Sequence, residues 1–318
     1  MAVNRDKPDL WKEDIINSVD MYNTWFLEFA PFTFRKTRIE TTKAVEKTLK
    51  ATSNLTDISM KLLEANPSVL PTLRMSTCPP LAVDRLIGLT GVNPNLIKKM
   101  EDGELPKKID NKILADQLEK ISLIIRKMAD PDIFVWLNRS ETATDQEIYR
   151  AATIVADRLC GSVANPIIRN AQEQRQLSNI GAWLDKRGYS QIKAGEGIRF
   201  DNMQPGTYSF RLNVPITRED GNRNNIPIDV VIMPNSSKPN ELPLLVEAKS
   251  AGDFTNVNKR RKEEATKIIQ LRRTYKKDIR FILFLCGYFD SGYLGYEAAE
   301  GIDWVWEHRI DDLAEFGL

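Results

Sequence analysis

Three residues in the second half of the chain carry the groups that could cut a phosphodiester: an acid, a second acid and an amine. Asp229 lies in the apolar segment 227–231, and Glu247 and Lys249 lie two positions apart in segment 246–249. Successive side chains on a strand point to opposite faces, so Glu247 and Lys249 are predicted to share one face. A buried carboxylate at Asp229 would need a partner, because an unpaired charge in an apolar environment is costly.

Each of these features also has an ordinary explanation. A Glu-x-Lys pair on a strand is often a surface ion pair, and an aspartate between apolar residues can cap a turn. The order of the parts favours function: Asp229 precedes the pair by one strand, a short hairpin separates them, and a basic helix follows Lys249. The sequence therefore predicts an active site at Asp229, Glu247 and Lys249.

The predicted chemistry is phosphodiester hydrolysis with Mg²⁺, which takes hard oxygen ligands and needs no histidine. Asp229 and Glu247 are predicted to hold the ion, with the backbone carbonyl of Ala248 as a further ligand. Mn²⁺ is expected to substitute for Mg²⁺. Lys249 is predicted to orient or help deprotonate the attacking water and to stabilise the developing charge.

The rest of the composition argues against several other chemistries. The 318 residues include one histidine, His308, and three cysteines without paired spacing. Zinc sites usually need several such ligands at short spacings. No GxxxxGK[S/T] phosphate loop or GxGxxG fingerprint is visible, so a nucleotide-dependent enzyme is not expected. No run approaches the ~20 apolar residues that span a bilayer, and no secretory signal is visible, so we expect a cytoplasmic protein without a membrane partner.

The net charge of +1 hides a basic segment. Between positions 249 and 280, eleven lysines and arginines face four acids, whereas acids dominate from position 281 onward. Cations neutralise DNA phosphates and asparagine can bond adenine edges, so the start of the helix in this segment is predicted to contact DNA. A solvated helix face is the alternative interpretation. The predicted DNA-binding residues are Asn256, Asn258, Lys259, Arg260 and Arg261.

The spacing of apolar residues predicts two domains. Residues 1–160 show helical spacing and almost no strand signal, so an all-helical domain is expected, with DNA recognition or clamping as its assigned role. In residues 161–318 the spacing of apolar residues changes from a helical period to short runs typical of strands. A helix over 166–187, strands over 189–192 and 207–214, and a buried hairpin over 226–233 and 242–248 are predicted, followed by a helix over 256–275 and a strand over 281–286. This is an α/β pattern in which the last helix crosses over to a parallel strand.

The order of these parts resembles the PD-(D/E)xK nuclease superfamily, read here as Ile228-Asp229 and Glu247-Ala248-Lys249. Segments 247–256, 259–264, 284–289 and 292–296 are more particular, and they are similar to the XamI-type restriction endonucleases. The resemblance is close over about residues 160–318. It implies a restriction-endonuclease-like core, a mixed sheet flanked by helices. Some superfamily members add an acid from the preceding helix, which points to Glu173; an exposed carboxylate paired with an arginine explains Glu173 equally well.

The resemblance further implies a type II restriction endonuclease that hydrolyses double-stranded DNA at a specific sequence. Such enzymes commonly act as homodimers, because twofold protein symmetry matches a palindromic site. A DNA methyltransferase is the expected genetic partner, since unprotected host DNA would be cut. Two alternatives stay open: a repair or junction-resolving nuclease on the same fold, and an inactive DNA-binding relative.

Overall fold

The computed structural model describes residues 2–193, 195, 197–218, 220–255, 257–276 and 279–318, and for residues 257–260 only the backbone is described. The chain forms two compact units. Ala30–Ile168 form the first, which we call the helical unit. Met1–Phe29 together with Arg169–Leu318 form the second, which we call the sheet unit.

This division differs from the predicted domains 1–160 and 161–318, because the first 29 residues pack in the sheet unit. The Asp303 carboxylate accepts hydrogen bonds from the backbone N–H of Val3 at 2.6 Å and of Asn4 at 3.0 Å. The Asn4 side chain also donates to the carbonyl of Trp304 at 2.9 Å. These partners are about 300 positions apart, so no local pattern in the sequence could indicate the contact.

The helical unit, which is described in full, contains no strand, as predicted. Apolar spacing predicts separate helices over 10–29 and 41–63, but α1 runs unbroken to residue 51 with Pro31 inside it, and α7 likewise contains Pro166. A proline removes one amide donor and often ends a helix, yet neither helix ends there. The helices are α1 Pro8–Ala51, α2 Met60–Ala65, α3 Leu70–Met75, α4 Val83–Thr90, α5 Pro94–Glu101, α6 Asn111–Met128 and α7 Asp145–Asp185, with 3-10 helices at Pro67–Val69 and Val135–Asn138.

The sheet unit contains a mixed sheet whose described strands lie in chain order. The strands are β1 Ser190–Gln191, β2 Thr207–Thr217, β3 Arg223–Met233, β4 Leu244–Ala251, β5 Arg280–Gly287 and β6 Asp303–Trp306. The β3–β4 pair is antiparallel, and β4 is parallel to β5 through helix α8, Val257–Tyr275. The predicted hairpin and crossover are therefore confirmed. Helix α9, Ser291–Ala299, strand β6 and a 3-10 segment at Glu307–Phe316 were not predicted.

Each face of the sheet packs on a different helix, which separates two apolar clusters. Ile180 and Trp183 of α7 pack with Val246 and Ala248 on what we call the α7 face. Ile268 and Leu271 of α8 pack with Leu245 on what we call the α8 face. Because side chains alternate along β4, the odd-numbered positions, including 247 and 249, belong to the α8 face.

A close approach of backbones at the ends of β4 and β5 requires glycine. Gly287 has a φ of +97°, and a Cβ built there would lie 2.1 Å from the carbonyl oxygen of Ala251. The Gly287 N–H donates to the Ser18 hydroxyl of α1 at 2.8 Å, which fixes the start of α1 against this end of the strands. Only a residue without a side chain fits this position.

Other sequence expectations can be compared with the structure directly. Among the described residues, no helix is both long and apolar enough to cross a membrane. All three cysteines are free, with Cys160 and Cys286 buried and Cys78 exposed. His308 packs beside Trp306, and its Nε2 lies 3.1 Å from the Asp14 carboxylate.

Candidate active site

Asp229 and Glu247 lie opposite each other at the point where β3 and β4 separate. The last paired residues are Val230 and Val246, so Asp229 and Glu247 are the next positions on the two strands. Where the regular ladder ends, the Asp229 carboxylate accepts the backbone N–H of Ala248 at 2.9 Å. The structure thus places the two predicted acids together at the end of a hairpin.

Glu247 is the centre of the cluster and is 4% exposed. One carboxylate oxygen, Oε1, accepts from the Lys249 ammonium at 3.0 Å and from the Lys267 ammonium at 2.7 Å. The other, Oε2, is buried without a hydrogen-bond partner among the described residues. A carboxylate has lone pairs to fill on both oxygens, so Glu247 retains acceptor capacity for a cation or a donor.

Asp229 is the acid of this pair whose pKa is raised. Burial, and then the nearby charge of Glu247, raise the pKa of Asp229 to about 6, while Lys249, the Ala248 amide and Lys267 oppose that rise. Two carboxylates in a poorly hydrated site disfavour each other's charged form. A bound cation would relieve both effects.

Lys249 shares one face of β4 with Glu247, as the alternation of side chains predicts. Burial by itself lowers the pKa of this ammonium, but the charges of Glu247, Glu264 and Asp229 outweigh burial and raise the pKa above its usual value. Lys249 is therefore protonated at neutral pH. From the α7 face, the buried amide of Gln176 donates to the backbone carbonyl of Lys249 at 3.3 Å, which fixes this part of the strand.

The pairing of β2 with β3 is distorted at Asp229, and the sequence gives no direct sign of this distortion. Leu212 and Ile228 pack on the α8 face, whereas Val230 packs on the α7 face although it has the same parity as Ile228. The regular alternation therefore shifts at Asp229 and at Arg211, which lies opposite it between two paired positions. Arg211 has a φ of +51°, a conformation that arginine rarely adopts and that is often found at functional sites.

Glu173 is connected to this distortion through an ion pair with Arg211. Its Oε1 accepts from the Arg211 guanidinium at 2.5 Å, and the two side chains are 39% and 55% exposed. Both interpretations of Glu173 therefore keep some support. It is an exposed helix carboxylate paired with an arginine, and that arginine lies opposite Asp229 in the sheet.

Most of the predicted DNA-binding side chains fall outside the described part of the structure. Asn256 lies outside the described residues, and the backbones of Asn258, Lys259 and Arg260 belong to the first turn of α8 while their side chains are not described. Arg261 is half-buried, with its guanidinium 3.6 Å from the centre of the Tyr296 ring on α9. That cation–π contact orients Arg261 toward α9.

Sequence reasoning missed three residues that contact the predicted set: Gln176, Glu264 and Lys267. Glu264 and Lys267 are one helical turn apart on α8, and Glu264 falls on the stripe that also contains Ile268 and Leu271. A charged residue on an apolar helical stripe is a signal that could have been used. Gln176 gives no comparable signal, since a polar residue on a long helix is ordinary.

The class of the protein follows from its relatives. Residues 53–306 match the family model described as XamI restriction endonuclease. A protein described as "Type II restriction enzyme SalI", from Streptomyces albus G, is 50% identical to this chain over 315 residues, which cover 99% of this chain and 99% of that protein. No solved structure matches the chain. These matches identify the protein as a restriction endonuclease, as predicted from the sequence.

The chain belongs to the XamI restriction endonuclease family. The family match spans residues of both units and includes Glu173, Asp229, Glu247 and Lys249. The resemblance to the XamI-type restriction endonucleases is thereby confirmed.

Proposed function

We propose that this protein hydrolyses double-stranded DNA at a specific sequence, as a type II restriction endonuclease, with Asp229, Glu247 and Lys249 as its catalytic residues. The observation that carries the proposal is the convergence of two acids and an ammonium where β3 and β4 separate. The relative at 50% identity, itself named a type II restriction enzyme, supports the reaction class.

We further propose Mg²⁺ as the cofactor, with Mn²⁺ as a substitute, held by Asp229, Glu247 and the backbone carbonyl of Ala248. The described residues contain no group of three or more His, Cys, Asp or Glu side chains arranged for a metal. Mg²⁺ nevertheless fits, because it is commonly bound by one or two carboxylates together with water and substrate phosphates. The unpartnered Oε2 of Glu247 and the raised pKa of Asp229 both favour a cation here. When bound, the ion would polarise the scissile phosphate and activate water.

Two lysines of the chain would stabilise the developing charge and position Glu247. The protonated Lys249 can donate to the attacking water and to the phosphate oxygens as negative charge develops. Lys267 donates to Glu247 at 2.7 Å and to the carbonyl of Pro227 at 3.4 Å, so it links α8 to both strands and holds Glu247 in position.

Contact with DNA is assigned to Asn256 and to four residues at the start of α8, Asn258, Lys259, Arg260 and Arg261. The helical unit is assigned to recognition or clamping of the duplex. Cleavage of both strands of a palindrome favours a homodimer. A cognate DNA methyltransferase in the same cytoplasm would protect the host genome.

The test is cleavage of unmethylated phage DNA with and without Mg²⁺. Wild type, Asp229→Ala and Lys249→Ala are compared, with Glu315→Gln as a control at an exposed acid outside the site. We expect discrete Mg²⁺-dependent fragments from wild type and the control and none from the two site variants. Cleavage of branched or damaged DNA alone would instead identify a repair nuclease. A folded wild type that binds DNA and cuts none would identify an inactive relative.

A further inference from the structure

Two buried acids on α8 and α9 lie behind Lys249 and have no assigned role in the reaction proposed above. Glu264 and Glu297 are each 1% exposed. The Tyr293 hydroxyl donates to Oε2 of Glu264 at 2.6 Å, and Oε1 of Glu264 lies 4.0 Å from the Lys249 ammonium. Glu264 therefore connects the active-site lysine to the interior of the unit.

The two acids lie within hydrogen-bonding reach of each other. Neither carboxylate oxygen of Glu297 has a hydrogen-bond donor among the described residues when both acids are ionised. A hydrogen bond between Glu264 and Glu297 forms when one of them is protonated, and two adjacent buried carboxyl groups rarely ionise together. Burial, and then the charge of Glu264, raise the pKa of Glu297 to about 8. Glu300 adds to the rise and Arg261 opposes it.

We propose that Glu264 is a positioning residue for Lys249. In this arrangement Glu297 is protonated, so the two acids together have a single negative charge. The proposal rests on the function proposed for Lys249. Glu247 is shared between two ammonium groups and is itself a proposed metal ligand, so it cannot be the sole anchor of Lys249. Glu264, on a different element, holds the ammonium from the α8 side.

The first test follows the position of the Lys249 ammonium without DNA or metal. Its ¹⁵N signal is assigned in wild type by comparison with Lys249→Arg and then recorded in Glu264→Gln and in Glu263→Gln, a matched change at the exposed neighbouring residue. We expect the signal to shift or broaden beyond detection in Glu264→Gln and to persist in Glu263→Gln. An unchanged signal in folded Glu264→Gln overturns the proposal.

A milder variant covers the case in which Glu264→Gln does not fold. Tyr293→Phe keeps both acids and removes the hydroxyl that holds Glu264. We expect a smaller shift of the Lys249 signal and about a threefold lower kcat with an unchanged KM for DNA. No change in either quantity would contradict the positioning role.

The second test examines the shared proton. Carboxyl ¹³C signals of wild type should include one glutamate with a midpoint near pH 8, and that titration should be absent from Glu297→Gln. The kcat of wild type should fall as pH rises through 8, because the pair then gains a second charge, whereas kcat of Glu297→Gln should not. Glu264→Gln should lower kcat about 10- to 100-fold at pH 7.

These readouts separate the two proposals. A wild type that cuts no DNA would overturn the proposed function, while the NMR signals test the arrangement around Lys249 independently. The absence of any glutamate titrating near pH 8 would overturn the shared proton even in a fully active enzyme.

Discussion

The two units bury charge in different ways. In the helical unit, Arg74 is 5% exposed, and its guanidinium donates to both oxygens of Glu101, at 2.8 and 2.6 Å, and to the carbonyl of Leu81. In the sheet unit, Glu247 is about equally buried, but both of its ammonium partners bind the same oxygen. Each nitrogen of the Arg74 guanidinium has an acceptor, whereas Oε2 of Glu247 has no partner among the described residues.

The difference lies in how much hydrogen-bonding capacity each unit leaves unused. Protein interiors normally satisfy buried polar groups, so an unsatisfied one calls for an explanation. Among the described residues, the buried side-chain polar atoms without a hydrogen-bond partner, such as Oε2 of Glu247 and both oxygens of Glu297, belong to the sheet unit. The Arg74–Glu101 pair in the helical unit is a structural contact, while Asp229 and Glu247, the acid-rich cluster of the sheet unit, keep the acceptor capacity that the proposed cation site requires.

The largest effect on kcat should come from replacing Lys249, one of the two lysines that bind Glu247. Lys249→Met removes the group proposed to act on water and phosphate, and it should lower kcat about 1,000-fold. Lys267→Met removes a group that holds Glu247 and the Pro227 carbonyl but has no proposed contact with water or phosphate, and about a tenfold loss is expected. Single-turnover cleavage of unmethylated DNA measures both variants. Equal losses would mean that the two lysines share one role.

Removing Arg74 should affect stability and leave catalysis intact. Arg74→Met leaves the partly buried Glu101 carboxylate and the carbonyl of Leu81 without their partner, so the free energy of unfolding should fall by roughly 3 kcal/mol. Denaturant unfolding measures this change, with Arg126→Met as a control at the exposed Arg126–Glu119 pair, where less than about 1 kcal/mol is expected. A cleavage rate per folded molecule that drops along with stability would contradict the contrast between the units.

The stability of the metal-free protein should depend on pH through Asp229. Its pKa is raised from 3.8 to about 6, so the folded state binds this proton more tightly than the unfolded state does. The resulting stabilisation is fully present below pH 3.8 and is lost as pH rises through 6. The free energy of unfolding of wild type should therefore fall between pH 4 and 7 by about 2 kcal/mol relative to Asp229→Asn. Parallel pH profiles for the two proteins would argue against the raised pKa.

The smallest effect is expected at Glu173. Glu173→Gln breaks an exposed ion pair with Arg211, so the free energy of unfolding should change by less than about 1 kcal/mol. If Glu173 serves only that pair, kcat should stay within about threefold of wild type. A loss of 100-fold or more would assign it to the catalytic site instead.

The sequence predicted the features that depend on local pattern. Alternation along β4 correctly placed Glu247 and Lys249 on one face, and the apolar runs correctly indicated the hairpin that brings Asp229 beside Glu247. The shift of alternation at Asp229 could not be predicted, because it accompanies a left-handed conformation at Arg211, a residue type that does not favour one.

Contacts between distant segments were also beyond the sequence. Lys267 appeared as one cation in a basic run, and only the packing of α8 on the sheet shows that it binds Glu247. The assignment of residues 1–29 to the sheet unit depends in the same way on Asp303, which binds the start of the chain. Short apolar strands such as β6 are hard to distinguish from other buried segments by periodicity alone.

Direct binding of Mn²⁺ tests the central claim that the acid-rich cluster of the sheet unit is a cation site. Electron paramagnetic resonance of free Mn²⁺ would be recorded during titration of wild type, Asp229→Asn and Arg74→Met at equal concentration of folded protein. We predict that Asp229→Asn binds Mn²⁺ at least about tenfold more weakly than wild type, because one of two carboxylate ligands has lost its charge, and that Arg74→Met binds like wild type. Equal binding by wild type and Asp229→Asn would contradict the account.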